Sequence, residues 1–299
     1  MIIFKEKIKM HEWLYYKIYS ERNNHFDVMI KEIVAPACNL LVQHKIHPAK
    51  WFFIRYVDYT GYHLRVRFKI STQGLDQATK VLESYFSEMI PCVLKMDVVP
   101  PRSLIPVQQD HNKKNAESPG TIELAVYEPE ISKYGGSEGV SKAEPIFQQS
   151  SELVVNSIED IIVGQIDRYL LGLAIMKLKL DTLFLHDEKE ELLFLQHYLF
   201  YWTGAKYSAS GQQLAKKFLE LTIKKVKAIE SDMTELLPIV NRTYISLVAS
   251  TIEQVLKISH KSKVELLFHY IHMMNNRLGI TPLEEAYLAA ILINMKIDK

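Results

Sequence analysis

The hydrophobic positions change their period along the chain. Over Trp13 to Tyr19 (WLYYKIY) aromatic and branched residues crowd together, which suits a strand. From Phe26 to Gln43 the apolar residues fall at Phe26, Met29, Ile30, Ile33, Val34, Ala37, Leu40 and Leu41, a helical spacing that Pro36 must kink or break. Trp51 to Lys69 returns to a period of two and reads as a hairpin, with a turn at Asp58-Tyr59-Thr60-Gly61 and glycine where a positive φ is wanted. On its second strand Leu64, Val66 and Phe68 point one way, while His63, Arg65, Arg67 and Lys69 point the other. One face is apolar and the other is a cationic stripe. Leu75 to Met89 carries Leu75, Ala78, Val81, Leu82, Tyr85, Phe86 and Met89 on one helical stripe. Val93 to Val99 and Ile122 to Tyr127 read as further strands, separated by a loop from Pro100 to Gly120.

The order strand, helix, strand, strand, helix, strand predicts an α+β fold with a ferredoxin-like split βαβ antiparallel sheet in the N-terminal half. Helices then cover the apolar face, and the stripe of His63, Arg65 and Arg67 lies on the other. After Ser151 the period is helical throughout, with helices expected over Ser151 to Leu180, Lys189 to Trp202, Gly211 to Ile229, Leu236 to Ile258, Val264 to Asn276 and Pro282 to Met295. Thr281-Pro282-Leu283-Glu284 is a capping-box signature, and Gly279 closes the helix before it. The division predicted is a sheet region over 1–140 and a mostly α-helical region over 141–299, packed as one catalytic unit.

Charge removes whole classes of function. With 36 basic against 35 acidic residues the formal charge is +1, so no generalised nucleic-acid surface is expected and anion recognition must be local. The two cysteines, Cys38 and Cys92, lack CxxC spacing, which argues against a thiolate metal cluster and fits a reduced cytoplasm. The opening MIIFKEKIKMHEW has no apolar run of signal-peptide type, and no apolar stretch is long enough for a membrane span. Dinucleotide, nucleotide and serine-hydrolase motifs are absent, and neither a cofactor nor a metal is expected.

Four segments offer chemistry. The first is the basic strand, whose arginines present planar forks suited to a carboxylate or phosphate, although a solvated sheet face gives the same pattern. The second is YEPEISKYGG, with Glu128, Glu130 and Lys133 ahead of a Gly-Gly turn. The third is AEPIFQQSS, a loop leading to a Ser-capped helix start at Ser151. The fourth is HYIHMMNNRLG: His269 and His272 share one helical face, with Asn275, Asn276 and Arg277 at the end of the same helix. Spacing alone leaves a metal pair, a buried or capping histidine and an acid or base all open there.

Taken in order, WFFIRYVDYTGYHLRVRF, YEPEISKYGG, AEPIFQQSS and HMMNNRLGI resemble the carboxy-terminal domain of lantibiotic dehydratases and the stand-alone thiopeptide-type bacteriocin biosynthesis proteins. The resemblance runs from Trp13 to about Leu288. It implies an enzyme acting on a leader-bearing precursor peptide, with a glutamylating dehydratase as a separate subunit and no direct contact with nucleic acid. Two chemistries are implied. One removes glutamate from glutamylated Ser or Thr to give dehydroalanine or dehydrobutyrine. The other joins two dehydroalanines in a formal [4+2] cyclisation to a pyridine, with loss of the leader.

By this resemblance Arg67, with Arg65 and His63 beside it, matches the HxRxRF motif and handles the glutamyl carboxylate. His272 matches the histidine of HMxxNR and moves the proton, with Arg277 at the end of that motif on the substrate side. Glu130 matches the second glutamate of the YExExxRYGG segment. Lys133 stands where the family has arginine, keeping the charge and losing the fork. For the cyclisation, Tyr16, Tyr62 and His272 are the residues expected to bind and polarise the peptide. A third expectation is a non-catalytic scaffold that pairs a leader peptide with an edge strand such as Trp13 to Tyr19.

Overall fold

The computed structural model describes residues 10–297 apart from 22, 101, 106–116, 186 and 241; residues 1–9, which carry most of the opening segment read above, and part of the loop after Pro100 lie outside the described residues. The chain divides into two compact units: the described residues of 1–101 and 110–128 form one, and those of 102–109 and 129–299 the other. Among the described residues no helix is long and apolar enough to cross a membrane.

The first unit runs β1 (His11–Ser20), α1 (Phe26–Met29), a π-helical turn (Ile30–Val34), α2 (Ala35–Gln43), β2 (Lys50–Asp58), β3 (Gly61–Ser71), α3 (Leu75–Leu94) and β4 (Ile122–Ala125). The sheet order is β2-β3-β1-β4, antiparallel throughout, so β3 is inserted between the two strands that the first helices connect. This is the split βαβ arrangement the pattern predicts. Tyr16, Ile18, Phe53, Leu64, Val66 and Phe68 are buried on the helix side, where the Tyr16 and Phe86 rings meet edge-on at 5.3 Å. Asp27 of α1 pairs there with Arg55 of β2 at 2.7 Å, and both are nearly inaccessible. The β2–β3 turn is held by Asp58, whose carboxylate accepts from Thr60 N at 2.8 Å, with Gly61 at φ 114°.

Two expectations fail in this unit. Val93 to Val99 is not a strand, because the buried stripe Ala78, Leu82, Phe86, Ile90 and Val93 continues the helical period and carries α3 to Leu94, past Pro91. Nor is β1 an edge strand: β3 pairs with it over His11 to Ser20 and β4 over Tyr15 to Ile18, so leader pairing along Trp13 to Tyr19 has no open edge of the kind supposed.

The second unit is helical: α4 (Gly136–Ile162), α5 (Arg168–Phe184), α6 (Glu188–Thr203), α7 (Ala209–Ile223), α8 (Val226–Leu236), α9 (Arg242–Leu256), α10 (Lys263–Leu278) and α11 (Pro282–Ile297). Helix α11 is apolar on every side, with Ala286 and Leu288 to Ile293 all buried, and it packs on α5, α6, α7 and α8. The span read as one helix from Ser151 to Leu180 is two, broken at Gly164 (φ 77°) and restarted by Asp167, whose side chain accepts from Tyr169 N and Leu170 N. Gly211 to Ile229 is likewise two helices, and the one expected from Leu236 starts at Arg242. Ser151 is no N-cap. It lies midway along α4, and its hydroxyl donates to Phe147 O at 2.8 Å.

Candidate functional site

In the first unit the β-register lays the polar face out in rows. Glu123, Lys17 and Arg65 lie side by side across β4, β1 and β3, and Ala125, Tyr15, Arg67 and Phe52 form the next row across all four strands. The stripe is therefore not bare: His63 and Arg67 are buried in it, and Arg65 and Lys69 are half-buried. Arg67 is 6% exposed, and its guanidinium carbon lies 4.3 Å from the Tyr15 ring centre, 5.0 Å from Tyr127 and 5.3 Å from Phe52. Arg65 stacks on Tyr56 at 3.3 Å and reaches Asp58 at 3.5 Å. Lys17 is bound to Glu123 at 2.8 Å, and that ion pair, against the cost of burial, holds the Glu123 carboxyl below its usual range.

The arginines bring His63 with them in a fixed state. Arg65 Nε donates to His63 Nε2 at 3.1 Å, so Nδ1 carries the proton and donates to Gly61 O at 3.3 Å. Burial first, and then the Arg65 charge, push this imidazole down to about 4. Both ring nitrogens are thus engaged by the protein itself. Tyr16 and Tyr62 lie on the opposite, helix-facing side of the sheet from Arg65 and Arg67, since each pairs in register with residues of that side. The Tyr16 phenol is raised by burial and by the nearby Glu83.

The second unit holds the remaining candidates. Gly135 (φ 83°) turns the YEPEISKYGG segment into α4 at a point where an added Cβ would lie 2.7 Å from the Ser259 hydroxyl, which makes glycine a packing requirement there. The turn sets Tyr134 against Phe147, His269 and Tyr270, with ring centres 5.1 to 6.0 Å apart. Lys133 is paired with Glu130, and both are about half exposed. His269 is held down to about 4 by burial, then by the charges of Lys133 and His272. Glu130, Lys133, His269 and His272 therefore share one electrostatic neighbourhood. Among the described residues no third ligand joins the two histidines to make a metal site.

His272 is 27% exposed and its Nδ1 lies 2.7 Å from Glu285 Oε1, a carboxylate with no exposure at all. Asn275 Nδ2 donates to Glu285 Oε2 at 3.2 Å, and the buried Tyr198 hydroxyl donates to the same oxygen. The indole of Trp202 lies against the imidazole at 4.8 Å. Lys179, fully buried, donates to Tyr270 O at 2.9 Å; burial first, then the charge of Arg277, push its amine well below the usual range. Arg277 is 1% exposed: its Nε donates to Ser151 Oγ at 3.1 Å and its Nη1 to Met273 O at 2.8 Å. Its guanidinium ties α10 to α4 inside the bundle.

Glu285, Tyr198 and Asn275 were not among the expected site residues. One signal was present in the sequence: Glu285 stands directly before the uninterrupted apolar stretch Ala286 to Ile293, and a charge placed there must be buried and must find partners.

Comparison with known proteins adds the family. The fold resembles the pyridine synthase TbtD from thiomuracin biosynthesis, with a TM-score of 0.72 and 13% identity over 96% of this chain and 98% of that one. The tRNA-dependent lantibiotic dehydratase MibB from Microbispora sp. 107891 gives a TM-score of 0.64 and 18% identity over 96% of this chain and 28% of MibB. TsrL gives 0.57 and 12%, covering 97% and 95%. At these identities the likeness is one of fold. The nisin biosynthesis protein NisB of Lactococcus lactis subsp. lactis is 26% identical over 193 residues, 64% of this chain and 16% of NisB, so the chain spans a small part of that relative. The model described as lantibiotic biosynthesis dehydratase C-terminal matches residues 13–295, and the chain belongs to that family of peptide-antibiotic biosynthesis proteins.

Proposed function

We propose that the chain eliminates glutamate from glutamylated Ser and Thr residues of a leader-bearing precursor peptide, leaving dehydroalanine and dehydrobutyrine. The observation that carries this reading is His272, an imidazole anchored through Nδ1 on a buried carboxylate, with part of its ring exposed. β-Elimination requires a base for the Cα proton and a receptor for the departing carboxylate. His272 Nε2 takes the proton, the Cα–H electrons become the Cα=Cβ bond, and the Cβ–O bond breaks with its electrons left on glutamate. The family resemblance assigns the glutamyl carboxylate to Arg67, which within its own unit is a fixed cation among three aromatic faces.

Lys133 favours a second reading, pyridine formation from two dehydroalanines. Its ammonium is engaged by Glu130 and cannot grip a carboxylate in two places as arginine does. Cyclisation needs orientation and amide polarisation by hydrogen bonds, and no glutamate pocket.

The deciding experiment offers the protein a glutamylated peptide and, separately, a bis-dehydroalanine peptide, and follows both by mass spectrometry. Release of glutamate is expected. In the Arg67→Ala variant glutamylated peptide accumulates while leader binding is largely kept. Undiminished release by that variant, or a pyridine macrocycle as the sole product, overturns the elimination reading.

A further inference from the structure

Helix α10 brings His272 against the first turn of α11, where several donors converge on one buried carboxylate. Glu285 accepts from three donors: His272 Nδ1 at 2.7 Å, Asn275 Nδ2 at 3.2 Å and the Tyr198 hydroxyl from α6. An ionised carboxylate has no hydrogen to give, so the imidazole proton at this contact sits on Nδ1 and Nε2 is left as the acceptor. The Tyr198 phenol lies well above its usual range through burial and the Glu285 charge, and so remains a donor. The other charged and titratable groups facing the pair are Lys179 on α5 and, beyond His269, Glu130 and Lys133 from the turn before α4.

We infer that Glu285 is a positioning residue that fixes the tautomer of His272, with the proton on Nδ1 and Nε2 left to act on substrate, and that Tyr198 and Asn275 hold the carboxylate in the orientation this needs. The inference rests on the elimination reading only for its catalytic consequence. A side chain at position 285 with no acceptor leaves Nδ1 without its partner, so the ring can carry its proton on either nitrogen, whereas loss of the Tyr198 hydroxyl leaves the Glu285 contact to His272 in place. A merely structural cluster gives no reason for the proton to prefer Nδ1.

The test is ¹⁵N NMR of the full chain labelled at histidine, with the His272 signals assigned by their loss in His272→Gln. In the unaltered protein the neutral ring is expected to show the proton on Nδ1. Glu285→Leu, which removes the acceptor, is expected to move the neutral ring toward a mixture of the two tautomers. Tyr198→Phe, which changes only one hydroxyl and suits a site that does not tolerate the larger change, keeps the proton on Nδ1. With glutamylated peptide, Glu285→Leu reduces kcat about 100-fold, the scale of one acid–base contribution, with KM little changed. A neutral ring protonated on Nε2, or a tautomer unchanged in Glu285→Leu, overturns the inference whatever the activity. A proton on Nδ1 that Glu285→Leu releases, in a protein that frees no glutamate, upholds it and rejects the elimination reading instead.

Discussion

His63 and His269 show how differently this fold treats residues of one type. Each is held neutral by burial, with a midpoint near 4 against the ordinary 6.5, whereas His272 is backed by a carboxylate. The consequence for stability has a definite sign. Between pH 6.5 and about 4 the unfolded chain binds protons at these two positions that the folded chain refuses, so stability falls as the pH drops through that window and is level above it. Melting temperatures recorded across the window should decline, and His269→Phe should make the decline shallower; an unaltered slope would show that burial does not hold this ring neutral. At this scale the sequence offered candidates where a residue sat within a motif. His272, Arg67 and Glu130 were singled out that way. Glu285 was not, because Glu284 before it satisfies the capping signature and the stretch appears fully explained. Glu284 does serve that end, accepting from Thr281 N at 2.9 Å and also from the Tyr169 hydroxyl at 2.7 Å. Glu285 meets its partners only through the fold.

Among elements, the stretch around Pro36 repays attention. The helical spacing from Phe26 to Gln43 is real, and the proline is accommodated by neither a simple kink nor a stop. A five-residue π-helical turn over Ile30–Val34 precedes it, and the Tyr85 hydroxyl of α3 donates to Glu32 O, the carbonyl four residues before the proline, at 2.7 Å. A side chain from a neighbouring helix thus serves a backbone group that an α-helix would satisfy with the missing N–H. Tyr85→Phe should cost about 1 kcal/mol in urea denaturation, the worth of one such hydrogen bond. In a Pro36→Ala background, where the N–H returns, the same change should cost less. Equal costs in both backgrounds would mean the hydroxyl and the proline are unrelated. Alternation and helical period identified β1, β2, β3 and α3 directly. They failed where Val93 serves either period, and where Gly164 interrupts an apolar pattern that does not itself pause.

For the whole molecule, the four motifs fall on two compact units. The arginine-bearing sheet and the α10–α11 corner are each built by their own local packing. The order of elements was enough to read the sheet topology, since a split βαβ unit leaves little choice of strand order. The helical unit was legible as helices but not in how they meet, because pairing among apolar stripes depends on shape rather than on period. A near-neutral chain also offers no net charge to draw an anion from a distance, and the cations of the sheet, Arg65 and Arg67, act only at short range. The contact between Trp202 and His272 carries a practical consequence. An indole 4.8 Å from an imidazole loses excited-state energy to that ring when the ring is charged, and only two other tryptophans, Trp13 and Trp51, contribute to the emission. The protein therefore contains its own optical gauge: its fluorescence should dim as His272 takes up a proton, so the charge on that ring can be followed in a cuvette without label or substrate.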